Sequence, residues 1–233
     1  MTGSDAALRL KQEAARRAAD LVQPGMVVGL GEGSTAIWAV RRIGELVQAG
    51  RLDNIVGIAA SPRMEDEARR VGITITTLSQ HPVIDLTIDG ADEVDPQLDL
   101  IKGGGGALLR EIIVAQVSGR VVIVADRSKL SLHLGEHWPI PVEVLPFAWR
   151  SQARFLESLG ATWRVRLMVD DRQFVTDSGN MILDCAFGPM ADPAGLATIL
   201  NARAGVVEHG LFIGLATDLV VAGPDGIEYH TRD

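Results

Sequence analysis

Short runs of β-branched and aliphatic residues alternate with amphipathic stretches over roughly the first 130 residues, which restricts the chain to a mainly parallel, doubly wound α/β sheet. Met26–Leu30, Ile55–Ala59, Ile73–Leu78, Ile84–Ile88 and Val121–Ala125 are short and largely apolar, as strands covered on both faces must be. Residues 4–22 place Ala7, Leu10, Ala14, Ala18 and Leu21 at helical spacing, with Pro24-Gly25 as the stop. A second helix is predicted from Thr35 to Val47, and a third, charged one after Pro62.

The pattern changes near Trp138-Pro139. Beyond it come a strand (Val142–Leu145), a helix (Phe147–Leu159), a strand (Thr162–Arg166), a hairpin around Ser178-Gly179-Asn180, a helix (Pro193–Ala204) and a strand from Val206. That β-α-β-β-α-β order is the ferredoxin-like α+β unit. Asp218–Ala222 followed by Gly223-Pro224-Asp225-Gly226 predicts a final hairpin. The 233 residues suit one large domain or two unequal ones. The expectation is a Rossmann-like domain of residues 1–138 plus 210–233, with a smaller ferredoxin-like domain of residues 139–209.

Composition narrows the function classes. Apolar residues at 47% and charged residues at 22% exclude disorder as the main state. A net charge of −8, with a pI near 5.1, argues against nucleic acid as a partner. Apolar stretches such as Val121–Ala125 fall far short of the roughly 18 residues a membrane helix needs. Charged residues at Asp5, Arg9, Lys11 and Glu13 do not suit a signal peptide, so a soluble cytoplasmic protein is expected. A single cysteine, Cys185, excludes an internal disulfide and a thiolate metal cage. Of the 22 basic residues only Lys11, Lys102 and Lys129 are lysines. They become informative if they stand beside other chemistry, because an ammonium is a compact point charge that a planar guanidinium does not mimic.

Four loops carry such chemistry, each just past a predicted strand. In Gly29-Leu30-Gly31-Glu32-Gly33-Ser34-Thr35-Ala36, glycines and a helix N-terminus suit a phosphate, while Ser34 or Thr35 could equally cap the helix. The loose dinucleotide fingerprint lacks its acidic partner, since the second strand ends in Ala59-Ala60-Ser61. Asp89-Gly90-Ala91-Asp92-Glu93-Val94-Asp95 offers carboxylates for sugar hydroxyls or a metal, and its spacing is not that of a calcium loop. For Glu93 and Asp95 a solvated turn is the better reading. Ile101-Lys102-Gly103-Gly104-Gly105-Gly106 runs into a helix carrying Glu111. A carboxylate on a rigid helix beside glycine N–H groups and an ammonium has the parts to abstract a proton next to a carbonyl and stabilise the enediolate. Asp126-Arg127-Ser128-Lys129 is the fourth loop.

Together these segments, with Pro141-Val142-Glu143-Val144-Leu145-Pro146, Val175-Thr176-Asp177-Ser178-Gly179-Asn180 and Gly223-Pro224-Asp225-Gly226, resemble the A-type ribose-5-phosphate isomerases over nearly the whole chain. The resemblance implies a Rossmann-like main domain with a ferredoxin-like insertion, a homodimer or homotetramer, and neither metal nor cofactor. It implies interconversion of D-ribose 5-phosphate and D-ribulose 5-phosphate in the pentose phosphate pathway. By position, Glu111 matches the family's catalytic base. Asp89, Asp92 and Lys102 match residues that hold sugar hydroxyls and assist ring opening. Lys11, Ser34, Thr35 and Lys129 match phosphate-side contacts, with Glu32, Gly33, Gly90, Ala91, Gly103, Gly104 and Gly105 as further substrate-binding positions.

Glu32 departs from the family's usual threonine. A carboxylate about 4 Å from a phosphate charge costs on the order of 4 kcal/mol at an effective dielectric near 20. Its side chain is therefore expected to turn toward Lys11 or an arginine, or to reach a sugar hydroxyl. The competing class is a non-catalytic sugar-phosphate sensor of the same fold, which needs the phosphate loop but not Glu111.

Overall fold

A computed structural model describes residues 3–232, with side chains from Leu8 onward. Ala7, counted in the stripe of the first helix, lies outside the described side chains. The chain's contacts divide it into two units. The first comprises residues up to Ala91, Arg110–Leu130 and those from Gly214; the second comprises Asp92–Leu109 and Ser131–Ile213.

The first unit is built on a seven-stranded sheet. Its strands are β1 (Val27–Leu30), β2 (Val56–Ala59), β3 (Thr74–Ile75), β4 (Leu86–Gly90), β7 (Val121–Asp126), β13 (Asp218–Gly223) and β14 (Gly226–Thr231). Their order is β14-β13-β7-β4-β1-β2-β3, parallel throughout except for the β13–β14 hairpin. The chain advances from β1 to one edge and then from β4 to the other, so the winding direction switches between β1 and β4. Helices α2 (Ala36–Gln48), α3 (Pro62–Arg70) and α4 (Leu108–Gln116) belong to these crossovers, and α1 (Gly3–Ala19) precedes β1. The small side chains of Ala14, Ala15, Ala18 and Ala19 let α1 lie close against the strands, and all four are fully buried.

The second unit carries β8 (Ile140–Val144), α5 (Trp149–Ser158), β9 (Thr162–Val165), β10 (Met181–Ala186), α6 (Pro193–Asn201) and β11 (Val206–His209). They form an antiparallel sheet in the order β11-β8-β10-β9, the ferredoxin-like arrangement expected from the sequence. Its core packs Val142, Val144, Leu156, Leu183, Cys185 and Leu200. Burial pushes the Cys185 thiol up to about 12, which suits a packing residue.

Three findings differ from the sequence reading. A second, three-stranded sheet of two-residue strands, β12-β6-β5, joins Leu211–Phe212, Leu100–Ile101 and Glu93–Val94. Residues 92–109, 131–138 and 210–213 fall in the second unit rather than the first: Glu93 binds the backbone of residues 135–138, β12 pairs with β6, and Gly210 bonds to both Lys102 and Pro141. The strand placed at Ile84–Ile88 runs instead from Leu86 to Gly90, so Asp89 is part of the strand end and not of the turn beyond it.

Candidate active site

Parallel register sets Leu30 beside both Ile88 and Ala59, and Gly90 beside Val124. The loops after β1, β2, β4 and β7 therefore leave from one rim, at the strands' carboxyl ends, where open α/β sheets bind ligands. Helix α4 leads into β7 and so begins at that rim. Its first turn carries Glu111, which is 4% exposed and sits where the helix dipole favours a negative charge.

Asp89 is 3% exposed, and its Oδ1 accepts the Gly90 N–H at 2.7 Å. The β1 turn passes directly over it: a Cβ on Gly31 would lie 2.2 Å from the Asp89 carboxyl carbon, so only glycine fits there. Gly33 adopts φ +128°, a conformation L side chains rarely take. Beyond it, the Ser34 hydroxyl accepts a hydrogen bond from Lys11 Nζ at 3.1 Å. Thr35 occupies the N-cap of α2 but makes no side-chain cap bond, so the first helix turn is not sealed by that hydroxyl. Past β7, Asp126 accepts hydrogen bonds from the backbone N–H and the hydroxyl of Ser128 and folds the turn that presents Lys129.

Glu32 turns to an arginine, one of the destinations expected for it. One carboxylate oxygen accepts the Gly33 N–H at 3.0 Å and a bond from the Arg63 guanidinium; the other accepts the Ser61 hydroxyl. Ser61 in turn accepts the Met64 N–H at 3.1 Å and caps α3. The β2 end, where a dinucleotide site places its acid, thus holds a serine that anchors Glu32 instead. Lys11 donates to Ser34 rather than to Glu32.

The second unit holds the other candidates. Lys102 follows β6, is 3% exposed, and lies with its Nζ 5.6 Å over the Phe212 ring. Asp92 accepts the Gly104 N–H at 2.7 Å, and a Cβ on Gly104 would lie 2.9 Å from that carboxylate. Gly103 (φ +99°) and Gly106 (φ +86°) close a turn through a 3.0 Å bond from the Gly106 N–H to the Gly103 carbonyl. Part of the glycine requirement is therefore steric, in addition to any supply of N–H donors. A cavity of about 400 Å³ beside this loop is lined by Asp92, Gly104, Trp138, Arg164, Arg166 and Asp184.

Sequence reasoning missed Ser61, Arg63, Arg166 and Asp184, and it misjudged Glu93. That residue is fully buried, and its carboxylate accepts backbone N–H groups from Gly135, Glu136, His137 and Trp138. A charged residue inside the apolar run Met181–Cys185 was the available signal for Asp184. Among the described residues, no group of three or more His, Cys, Asp or Glu side chains is arranged to hold a metal ion, and no helix is long and apolar enough to cross a membrane.

Residues 56–226 match the family model for ribose 5-phosphate isomerase A (phosphoriboisomerase A). The ribose-5-phosphate isomerase A of Chloroflexus aurantiacus is 58% identical over 221 residues, covering 95% of this chain and 92% of the relative. Among solved structures, ribose 5-phosphate isomerase from Plasmodium falciparum aligns with a TM-score of 0.93 at 37% identity, covering 97% of this chain and 99% of that one. A D-ribose-5-phosphate isomerase in complex with phospho-erythronic acid gives 0.94 at 36% identity, covering 96% and 98%. Likeness of this extent, running through both units at identities well above those where only a fold is shared, makes the chain a member of the ribose 5-phosphate isomerase A family.

Proposed function

We infer that the chain interconverts D-ribose 5-phosphate and D-ribulose 5-phosphate, with Glu111 as the base. The carboxylate of Glu111 takes the proton from C2 of the open-chain aldose. The C–H electron pair forms the C1–C2 double bond as the C1 carbonyl becomes the enediolate oxygen. The O2 hydroxyl proton passes to the O1 oxyanion, and as the C2 oxygen closes to the ketone the C1–C2 double-bond pair takes the proton back from protonated Glu111 at C1. Atoms and electrons balance with no outside reactant.

The remaining roles follow the family's positions. On the first unit's rim, Ser34, Thr35, Lys11 and Lys129 hold the phosphate, and Asp89 with the Gly33, Gly90 and Ala91 backbone contacts the sugar. In the second unit, Asp92 and Lys102 handle the hydroxyls and ring opening, with Gly103, Gly104 and Gly105 contributing backbone.

The observation that carries the base assignment is the burial of Glu111 in the first turn of α4, at the carboxyl-end rim of the sheet. Exchange of the C2 proton of ribose 5-phosphate with solvent tests it. Glu111→Gln is expected to slow both exchange and isomerisation by about 10²–10⁴-fold, the range general base catalysis supplies. Exchange at the wild-type rate would remove Glu111 from the role.

A further inference from the structure

The carbonyls of the glycine loop have a partner that none of the roles above uses. Arg166 directly follows β9, two residues from Arg164, so both side chains leave the same face of the sheet. On β10, Asp184 lies opposite Arg164 in register. Asp184 is buried and Arg166 largely so, their side chains being 7% and 13% exposed. Arg166 binds both oxygens of Asp184, Nη2 to Oδ1 and Nε to Oδ2 at 3.2 Å, the forked geometry of a guanidinium on a carboxylate. Its Nη1 reaches away to the carbonyl of Gly103 at 2.7 Å and that of Gly104 at 3.2 Å. The guanidinium also lies 6.0 Å from the centre of the Phe174 ring. That ring covers Gly106 so closely that a Cβ there would come within 2.3 Å of it.

The peptide joining Gly103 to Gly104 is thereby held at both ends. A trans peptide points its C=O and N–H in opposite directions, and no cis bond occurs among the described residues. The oxygen of this peptide is on Arg166, and its N–H is on Asp92 Oδ2 at 2.7 Å. Hydrogen bonds at opposite ends of one amide polarise each other, so a cation on the oxygen strengthens the N–H grip on the carboxylate. We propose that Arg166, braced by Asp184, is a positioning residue that orients the Gly103–Gly104 peptide and, through it, the carboxylate of Asp92. A lysine does not replace it, because an ammonium lacks the planar fork that spans a carboxylate and two carbonyls at once.

The catalytic consequence rests on the isomerase reading above, and the test keeps the two separable. Arg166→Met is expected to lower kcat for ribose 5-phosphate at least tenfold while KM stays within threefold. In an Asp92→Asn background the same change costs less than threefold, because the group being positioned is gone. Equal losses in both backgrounds, or full activity of Arg166→Met, overturn the proposal. If Arg166→Met does not unfold cooperatively, Arg166→Lys keeps a cation for Asp184 and carries the same comparison with the same outcomes. Amide hydrogen exchange gives a readout independent of turnover: Gly104 is expected to exchange at least tenfold faster in the variant. Should the wild-type chain not isomerise ribose 5-phosphate, the proposed function falls. Faster Gly104 exchange then still supports the positioning role, and unchanged exchange overturns it.

Discussion

Glu93→Gln is expected to destabilise the second unit while changing one atom of the side chain. The carboxylate of Glu93 is fully buried and takes four backbone N–H groups, from Gly135 and Trp138 on one oxygen and from Glu136 and His137 on the other, at 3.1–3.3 Å. A carboxamide keeps one acceptor oxygen and puts an NH₂ group in place of the other, so whichever way it turns, two backbone donors face a donor. Each buried donor left without an acceptor costs about 1–3 kcal/mol, or about 2–6 kcal/mol for two. His137 and Trp138 are exposed, and water reaching them offsets part of that, which places the expectation at about 2–4 kcal/mol. For a chain of this length that corresponds to a fall in Tm of roughly 4–16 °C. Thermal unfolding by circular dichroism measures the loss, and urea unfolding checks that the m-value is unchanged. A Tm within about 2 °C of wild type, where 1 kcal/mol moves it 2–4 °C, would show that the Gly135–Trp138 loop does not depend on the Glu93 charge.

Two further outcomes follow from the first unit. Glu32→Thr is expected to leave KM for ribose 5-phosphate within threefold, because the carboxylate is already taken by Gly33, Ser61 and Arg63; a fall of more than tenfold would show that it repels the phosphate. Burial raises the pKa of Asp218, but the forked bond to Arg120 at 2.8 Å, with Thr217 and Tyr229, outweighs it and brings the group from 3.8 down to about 2. With the folded pKa depressed, the contribution of about 2 kcal/mol is complete above pH 3.8 and is lost as pH falls from there toward 2. Asp218→Asn should therefore flatten the acid limb of stability between those pH values, and an unchanged slope would refute the assignment.

The parallel sheet and the ferredoxin-like sheet were legible because most of their strands lie in runs of four to six residues, many of them apolar, separated by helices of clear period; only the edge strand β3 shrinks to Thr74–Ile75 within the run read as Ile73–Leu78. The β12-β6-β5 sheet was not, since strands of two residues have no period and exist only through a pairing of Leu211 with Ile101 far along the chain. The four loops were legible from glycines and carboxylates at strand ends, including the turn of Glu32 toward an arginine. Which arginine was beyond the sequence, because one of nineteen looks like another until the β2 end sets Arg63 beside the β1 turn. Arg166 and Asp184 were hidden for the same reason: their pairing is a matter of register between β9 and β10. Glu93 was misjudged because an acidic cluster reads as solvated unless the donors that bury one member are visible.

The strand that completes the first sheet beside β7 lies far downstream of it. β7 ends at Asp126 and its neighbour β13 begins at Asp218. Synthesis at about 5–20 residues per second makes the roughly 90 intervening residues in about 5–20 s, during which the outer edge of β7 has no mate. That edge is a run of valine, isoleucine and alanine, the kind of bare ribbon that sticks to other nascent chains. A ribosome carrying this message therefore holds an open apolar seam until the closing hairpin emerges, and a chain halted before Asp218 exposes it for good.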